Sequence, residues 1–447
     1  MINYLLKKLA HYFKTYYITL AIITLSVIIV FIFMLLSGIL RMKDEYSIKR
    51  IYFADNISAS HKILIDKFNK LHAGKIEVVP IDLPFEKFST NERKELLIRS
   101  LRNKSDRIDL FSVDQIWVPR FAKWTEPMNK YFTTKQRSEI LNQIIETCYY
   151  NDTLVAVPLY FDIGVLYCNE RLLDKLPDRE EIKGELRKSI TWEKFLKLGE
   201  RMKKGSSPFF LFPADKYEGL MCTFAEMLAS QNEKLFAADT VNLNSKAVRK
   251  SVQLLIDLVN RYKLSPKEIL SYREAETYKD FINRNGAFMR GWPGLYEWYK
   301  ENIKRGDASS FIKKYPLPHF EGGKPVSILG GWNLMVSKYS ANKPETFEFI
   351  KFLLSEESQK TLYLSGGYLP VKKSIYADSL FMKKNSELKF YKDLLSSAVQ
   401  RPFVDKYTRY SDIIAYYINE AMGNKMSADE ALFKAQKIIN SGDLFIR

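Results

Sequence analysis

An α/β protein whose chain alternates between two lobes, preceded by one membrane-spanning helix, is the fold class this sequence predicts. Three observations predict it. A charge-free apolar run lies near the N-terminus, a strand–helix–strand–helix–strand alternation follows it, and no linker divides the remainder into independent halves.

The apolar run is TYYITLAIITLSVIIVFIFMLLSGIL, residues 15–40, and it holds no charge between Lys14 and Arg41. About 20 helical residues cross a bilayer core, whereas a cleavable signal has a shorter apolar region of about 7–15 residues and a small-x-small exit. The spacing therefore predicts a retained transmembrane helix over 15–40, with Tyr16 and Tyr17 at one interface. Residues 1–14 become a short cytoplasmic tail and 41–50 a linker. Basic residues flank both ends, so the positive-inside count does not set the orientation. A short tail ahead of a large folded part reads as a single-pass signal anchor, with residues 51–447 on the extracytoplasmic side of the cell membrane. The exit LLSGI has the form of a lipoprotein signal end, with Ile39 where the lipidated cysteine would stand. Without that thiol, anchoring falls to the helix.

The alternation begins at once. RIYFADN gives a strand over Ile51–Ala54, and Ile63, Leu64, Phe68 and Leu71 recur at helical spacing. KIEVVPI alternates as a strand, KELLIRSLRN makes a second helix, and IDLFSVD is a third strand ending at Asp114. In such sheets ligands sit at the carboxyl ends of the strands. A second block opens at LVAVPLYFDIGVLYCNERLL, where Asp162 interrupts two apolar runs. TWEKFLKLGERM is a helix with Thr191 as N-cap and Lys194 where a capping box wants an acid. GLMCTFAEMLAS and AVRKSVQLLIDLVNRY are longer helices. GAFMRGW is a strand, and SILGGWNLMVS a strand interrupted by Gly330-Gly331. NKPETFEFIKFLLSEESQKTLY is one helix with Pro344 in its first turn, and Ser427-x-x-Glu430 caps the last helix.

Composition excludes several classes. Hydrophobic residues at 46% and charged residues at 27% are those of a folded globular chain. The net charge is +17, but lysines alternate with acids and form no basic tract, which argues against nucleic-acid binding. Cys148, Cys168 and Cys222 make no CxxC pair. His11, His61, His72 and His319 have no ligand spacing and read as surface residues. No P-loop, GxGxxG or GxSxG is present, so neither a cofactor nor an enzymatic activity is expected.

Trp292 stands between a strand and Pro293-Gly294, and Trp332 follows Gly330-Gly331. Glycines beside an aromatic let a ligand approach the backbone, and an indole face suits the C–H face of a sugar ring. Asp114, Asp162, Asn56 and Arg401 are the polar candidates for hydroxyl groups. Trp117, Trp124 and Trp298 read as packing residues.

Five stretches in order carry a resemblance: DLFSVDQIWVPRFAKWTEPMNKYF, AVPLYFDIGVLYCNERLL, YEGLMCTFAEMLAS, GAFMRGWPGLYEW, and GGWNLMVSKYSANKPETFEFIKFLLSEESQKTLYLSGGYLPVKKSIYAD. They resemble the family-1 extracellular solute-binding proteins of ABC sugar importers, the maltose- and trehalose-binding group, across about residues 51–440. The resemblance implies a two-lobed periplasmic-binding-protein-like fold with a hinge, the N-lobe at 51–158 and 327–374 and the C-lobe at 159–326 and 375–447. It places ligand contacts on Asp114, Tyr160, Asp162, Trp292, Gly331, Trp332 and Arg401, with Asn56 a weaker match. It implies a monomer that takes a carbohydrate ligand to ABC permease subunits. A sensory input protein signalling to a membrane kinase or chemoreceptor is the alternative. The retained helix departs from relatives that are lipid-anchored or free.

Overall fold

The computed structural model describes residues 1–45, 48–84, 87–88, 90–104, 107–203, 207–237, 240–302, 310–404 and 406–441. Side chains of residues 35–47, which include the LLSGI end and most of the 41–50 linker, lie outside the description, as do residues 442–447. Contacts divide the chain into two units, residues 1–50 with 69–77 and residues 51–68 with 78–447.

The first unit is dominated by one helix, Ile2–Glu45, longer at both ends than the predicted 15–40 span. No helix breaker stands between Lys14 and its N-terminus, so the turns continue outward. Its stretch Ile2–Met34 is long and apolar enough to cross a membrane, and none of that apolar surface is buried by the protein. Thr15, Thr19, Thr24 and Ser26 turn their hydroxyls back to carbonyls one turn earlier, at 2.9 Å each, so the helix shows few unsatisfied polar groups. Within the same unit, Arg50 Nε lies 2.9 Å from Glu77 Oε2.

The second unit is built on two sheets. Their strands are β1 (Lys49–Asp55), β2 (Ile76–Asp82), β3 (Leu110–Asp114), β4 (Val157–Ile163), β5 (Val165–Asn169), β6 (Phe210–Leu211), β7 (Phe288–Gly291), β8 (Ile312–Tyr315), β9 (Ile328–Val336) and β10 (Val399–Gln400). The larger sheet runs β10-β9-β3-β1-β2, with β4 also paired to β9; the smaller runs β8-β5-β7-β6. β3 lies parallel to β1, as the strand–helix alternation requires, and every residue of β3 is buried. β9 lies antiparallel to β3 and β4.

The chain passes between the two sheets twice, and a third departure carries it from the larger sheet into helices. Gly164 alone separates β4 in the larger sheet from β5 in the smaller. Residues 316–327 return from β8 to β9. After β10 the chain leaves the larger sheet again for the helix Tyr407–Met422, which packs on Glu218–Ala229 and Lys246–Asn260.

Local details depart from the sequence reading in four places. Residues 343–366 form two helices, Lys343–Leu353 and Glu356–Gly366, because the Ser355 side chain accepts from Ser358 N and starts a new helix. Gly330-Gly331 does not interrupt β9; the register shifts between Trp332 and Asn333 as a bulge. Ser427 accepts from Glu430 N at 3.2 Å, but the Glu430 carboxylate pairs with Lys434. His61 is buried at 1% exposure, not a surface residue. Its Nδ1 is 2.7 Å from Ser58 Oγ, and burial lowers its pKa against the pull of Asp55. All three cysteines are free and buried.

Candidate functional site

The register of three strands assembles the first part of the site. Trp332 on β9 stands opposite Asp114, the last residue of β3, and opposite Tyr160 on β4. One step along, Gly330 faces Asp162. Gly331 sits between them at φ +148°, where a Cβ would come within 2.9 Å of the Tyr160 carbonyl oxygen. Only glycine lets β9 approach β4 this closely while it bends.

Asp114 ends its strand as the cap of a short 3₁₀ turn, accepting from Ile116 N at 3.2 Å. Its carboxylate receives both Nη atoms of Arg401, Nη2 at 2.7 Å and Nη1 at 3.2 Å. Arg401 Nη1 also reaches Glu218 Oε1 at 2.9 Å. Glu218 opens the helix Glu218–Ala229 and collects Tyr407 Oη at 2.7 Å and the Ser411 hydroxyl as well. Burial raises the Glu218 pKa, and Arg401 opposes the rise. At 5% exposure, Arg401 is a sealed clasp between the end of β3 and that helix.

Trp292 is anchored through both its backbone and its ring. Its backbone N donates to Tyr278 Oη at 3.1 Å, and its carbonyl accepts from Tyr167 Oη at 2.6 Å. Its indole N–H reaches Glu274 Oε1 at 3.4 Å. Arg290, two residues earlier on the same strand face, lays its guanidinium 3.9 Å from the ring centroid. The ring rim would meet a Cβ on Gly330 at 3.1 Å. Trp292 remains half-buried, whereas Trp332 is 8% exposed and set edge-on to Trp117 at 6.0 Å. Trp332 too has an arginine over its ring, Arg93 at 4.4 Å, itself bonded to Asp55 at 3.1 Å.

Asp162 is half-buried beside this cluster, and among the described residues no donor is hydrogen-bonded to its carboxylate. Burial, then the nearby charge of Asp114, push its pKa up to about 7, against Arg401 and Arg290. Tyr160 is buried and packs on Tyr368, ring centroids 4.3 Å apart. Asn56 is half-buried at the end of β1, its N–H donating to Asp55 at 2.7 Å.

The geometry thus brings Asp114, Tyr160, Asp162, Trp292, Gly331, Trp332 and Arg401 around the ends of β3, β4, β7 and β9, with Asn56 at the end of β1. The sequence reading missed Glu218, Glu226, Glu274, Arg290, Arg93, Tyr278 and Tyr368. Arg290 was the one with a local signal, since it shares a strand face with Trp292. A pair of aromatic platforms ringed by carboxylates and buried guanidinium groups is equipped to hold a ligand by stacking and hydrogen bonds. Among the described residues no group of three or more His, Cys, Asp or Glu side chains is placed to bind a metal ion.

Two sheets joined by two crossings, with a third departure of the chain into helices, define a two-lobed protein. The chain belongs to the bacterial extracellular solute-binding protein family, which its sequence matches over residues 53–360. A probable ABC transporter-binding protein of Deinococcus radiodurans is 25% identical over 354 residues, 77% of this chain and 82% of that one. The fold is shared with the maltose-bound MalE3 of T. maritima, at 24% identity and TM-score 0.79, covering 88% of this chain and 100% of that one. It is also shared with the GacH receptor of Streptomyces glaucescens, solved unliganded and with acarbose, at 21% identity and TM-score 0.74, covering 88% and 98%.

Proposed function

We propose that this protein captures a sugar or polyol between its two lobes and passes it to an ABC importer. The observation that carries this reading is Trp292, a half-buried indole anchored by Tyr278, Tyr167 and Arg290, beside the carboxylate of Asp162, to which no donor among the described residues is hydrogen-bonded. An indole face and a hydroxyl-accepting carboxylate match the two sides of a polyhydroxylated ring, one apolar and one polar. The relatives support the class: structures of this fold hold maltose, acarbose, α-D-tagatose and ribitol. The apolar helix ahead of the binding unit would keep it at the cell membrane, with residues from about 51 onward on the extracytoplasmic face. The protein carries no reaction of its own in this scheme; ATP hydrolysis belongs to the importer.

Thermal unfolding against a panel of mono- and oligosaccharides and polyols tests this, for the parent and for Trp292→Ala. A ligand at 100 times its dissociation constant stabilises the native state by about 2.7 kcal/mol. One sugar or polyol should raise the parent's midpoint and leave Trp292→Ala unmoved. A panel that moves neither protein would remove the carbohydrate assignment.

A further inference from the structure

Between the Trp292 platform and the crossings lies a buried ion pair that binding does not use directly. Arg290 Nε donates to Glu226 Oε2 at 3.0 Å and Nη2 to Oε1 at 2.8 Å, a parallel bidentate pair with Arg290 at 1% exposure. Glu226 comes from the helix Glu218–Ala229 and Arg290 from β7 of the smaller sheet. Glu226 Oε1 also accepts from Ile328 N at 3.3 Å, and Ile328 is the first residue of β9, where the chain re-enters the larger sheet. A Cβ on Gly164 would lie 2.1 Å from the same Oε1 and 3.1 Å from Arg290 Nη2. The carboxylate therefore fills the space that glycine leaves open at the first crossing. Gly164 N in turn donates to Ile328 O at 3.2 Å, tying the two crossings together.

From these contacts we infer that Glu226 is a positioning residue that couples the plane of Trp292 to the hinge. One carboxylate oxygen touches both crossings, and the paired guanidinium lies over the indole, 3.9 Å from its centroid. Rotation at Gly164 and Ile328 moves the backbone groups that meet Glu226 Oε1, and the bidentate pair carries that movement to Arg290 and the ring. A ligand stacked on Trp292 biases the same linkage in reverse, because coupling between two sites is reciprocal. This inference takes its purpose from the solute-binding reading, but its test uses no ligand, so the two can fail separately.

The test uses the full chain in detergent micelles, unliganded. Amide exchange is followed at Gly164 and Ile328, and the near-ultraviolet circular dichroism of Trp292 is isolated by subtracting each protein's Trp292→Phe counterpart. In Glu226→Gln, exchange at both amides should rise about tenfold, as expected for a locally loosened element, and the Trp292 difference spectrum should change. In Gly164→Ala, the new methyl enters the space that Glu226 Oε1 fills at the crossing, displaces the pair from there, and should change the Trp292 spectrum too. Loss of thermal stability with both signals unchanged, or a Gly164→Ala spectrum identical to the parent's, overturns the coupling. If Glu226→Gln does not fold, Arg290→Lys takes its place. It keeps the charge but loses the bidentate pair, and it should move both signals; if it moves neither, the inference falls.

Discussion

Asp162 shows how much one side chain can reveal about the pH response of a site. Its proton is held to about pH 7 in the folded chain, while an unfolded aspartate releases its own near 3.8. Between those values the native state binds more protons than the unfolded one, so stability falls as pH rises through the window. The penalty is absent below about pH 4 and complete above 7. With allowance for half-exposure it amounts to about 2 kcal/mol. Asp162→Asn should therefore raise the unfolding midpoint at pH 8 and leave it unchanged at pH 4, which a thermal scan at the two pH values checks. Arg401 is the opposite case, a buried charge set between two carboxylates. Arg401→Ala leaves Asp114 and Glu218 buried without their partner and should cost about 3–5 kcal/mol in urea unfolding. The types and approximate places of both residues were legible in the sequence, but the clasp was not. Arg401 and Asp114 lie 287 positions apart, and Arg401 and Glu218 lie 183 apart. Periodicity reports which face a residue occupies, never which distant residue it meets. His61 was misread for the same reason: its burial is decided by neighbours such as Tyr368, 5.3 Å away between ring centroids.

The elements themselves were written more plainly. β1 to β3 and the helices between them followed from alternation and from three-and-four spacing, because their burial is set by near neighbours. The helix over 343–366 was read as continuous because its apolar pattern runs on through Leu354. The cap at Ser355 overrules that pattern by meeting an orphan amide at the new helix start. Gly330-Gly331 was correctly located but given the wrong consequence, since a bulge absorbs it without ending the strand. Two glycine substitutions should separate these roles. Gly331→Ala meets both a positive φ and the Tyr160 carbonyl, and should destabilise by about 1–3 kcal/mol. Gly184→Ala lies inside the helix Arg179–Arg187 with nothing within 4 Å of the new methyl, and should stabilise by about 0.5–1 kcal/mol. Chemical denaturation of the two variants side by side reads both signs.

At the scale of the molecule, the two passages between sheets and the third departure into helices are where a two-lobed protein of this kind would open and shut. Hinge motion of this kind needs only a few residues at element ends to change conformation, and Gly164 and Ile328 are so placed. Membrane attachment belongs to this scale as well. Removing residues 1–45 should release the remaining chain from the membrane fraction in a flotation assay. Its unfolding midpoint should match that of the intact protein, because the Ile2–Met34 surface is not packed against anything in the fold.

That helix carries a further consequence for the traffic of the molecule. Its 44 residues extend about 66 Å, roughly twice the thickness of a bilayer core. If the helix is retained in the membrane, as proposed, the protein would meet a membrane partner by a search in two dimensions. Confinement to one surface would raise the frequency of encounter, so a complex that would dissolve in free solution could stay populated. Weak docking then suffices, and weak docking releases quickly. The number of solutes delivered per second would be set by how fast the partner turns over, with little waiting for the next arrival.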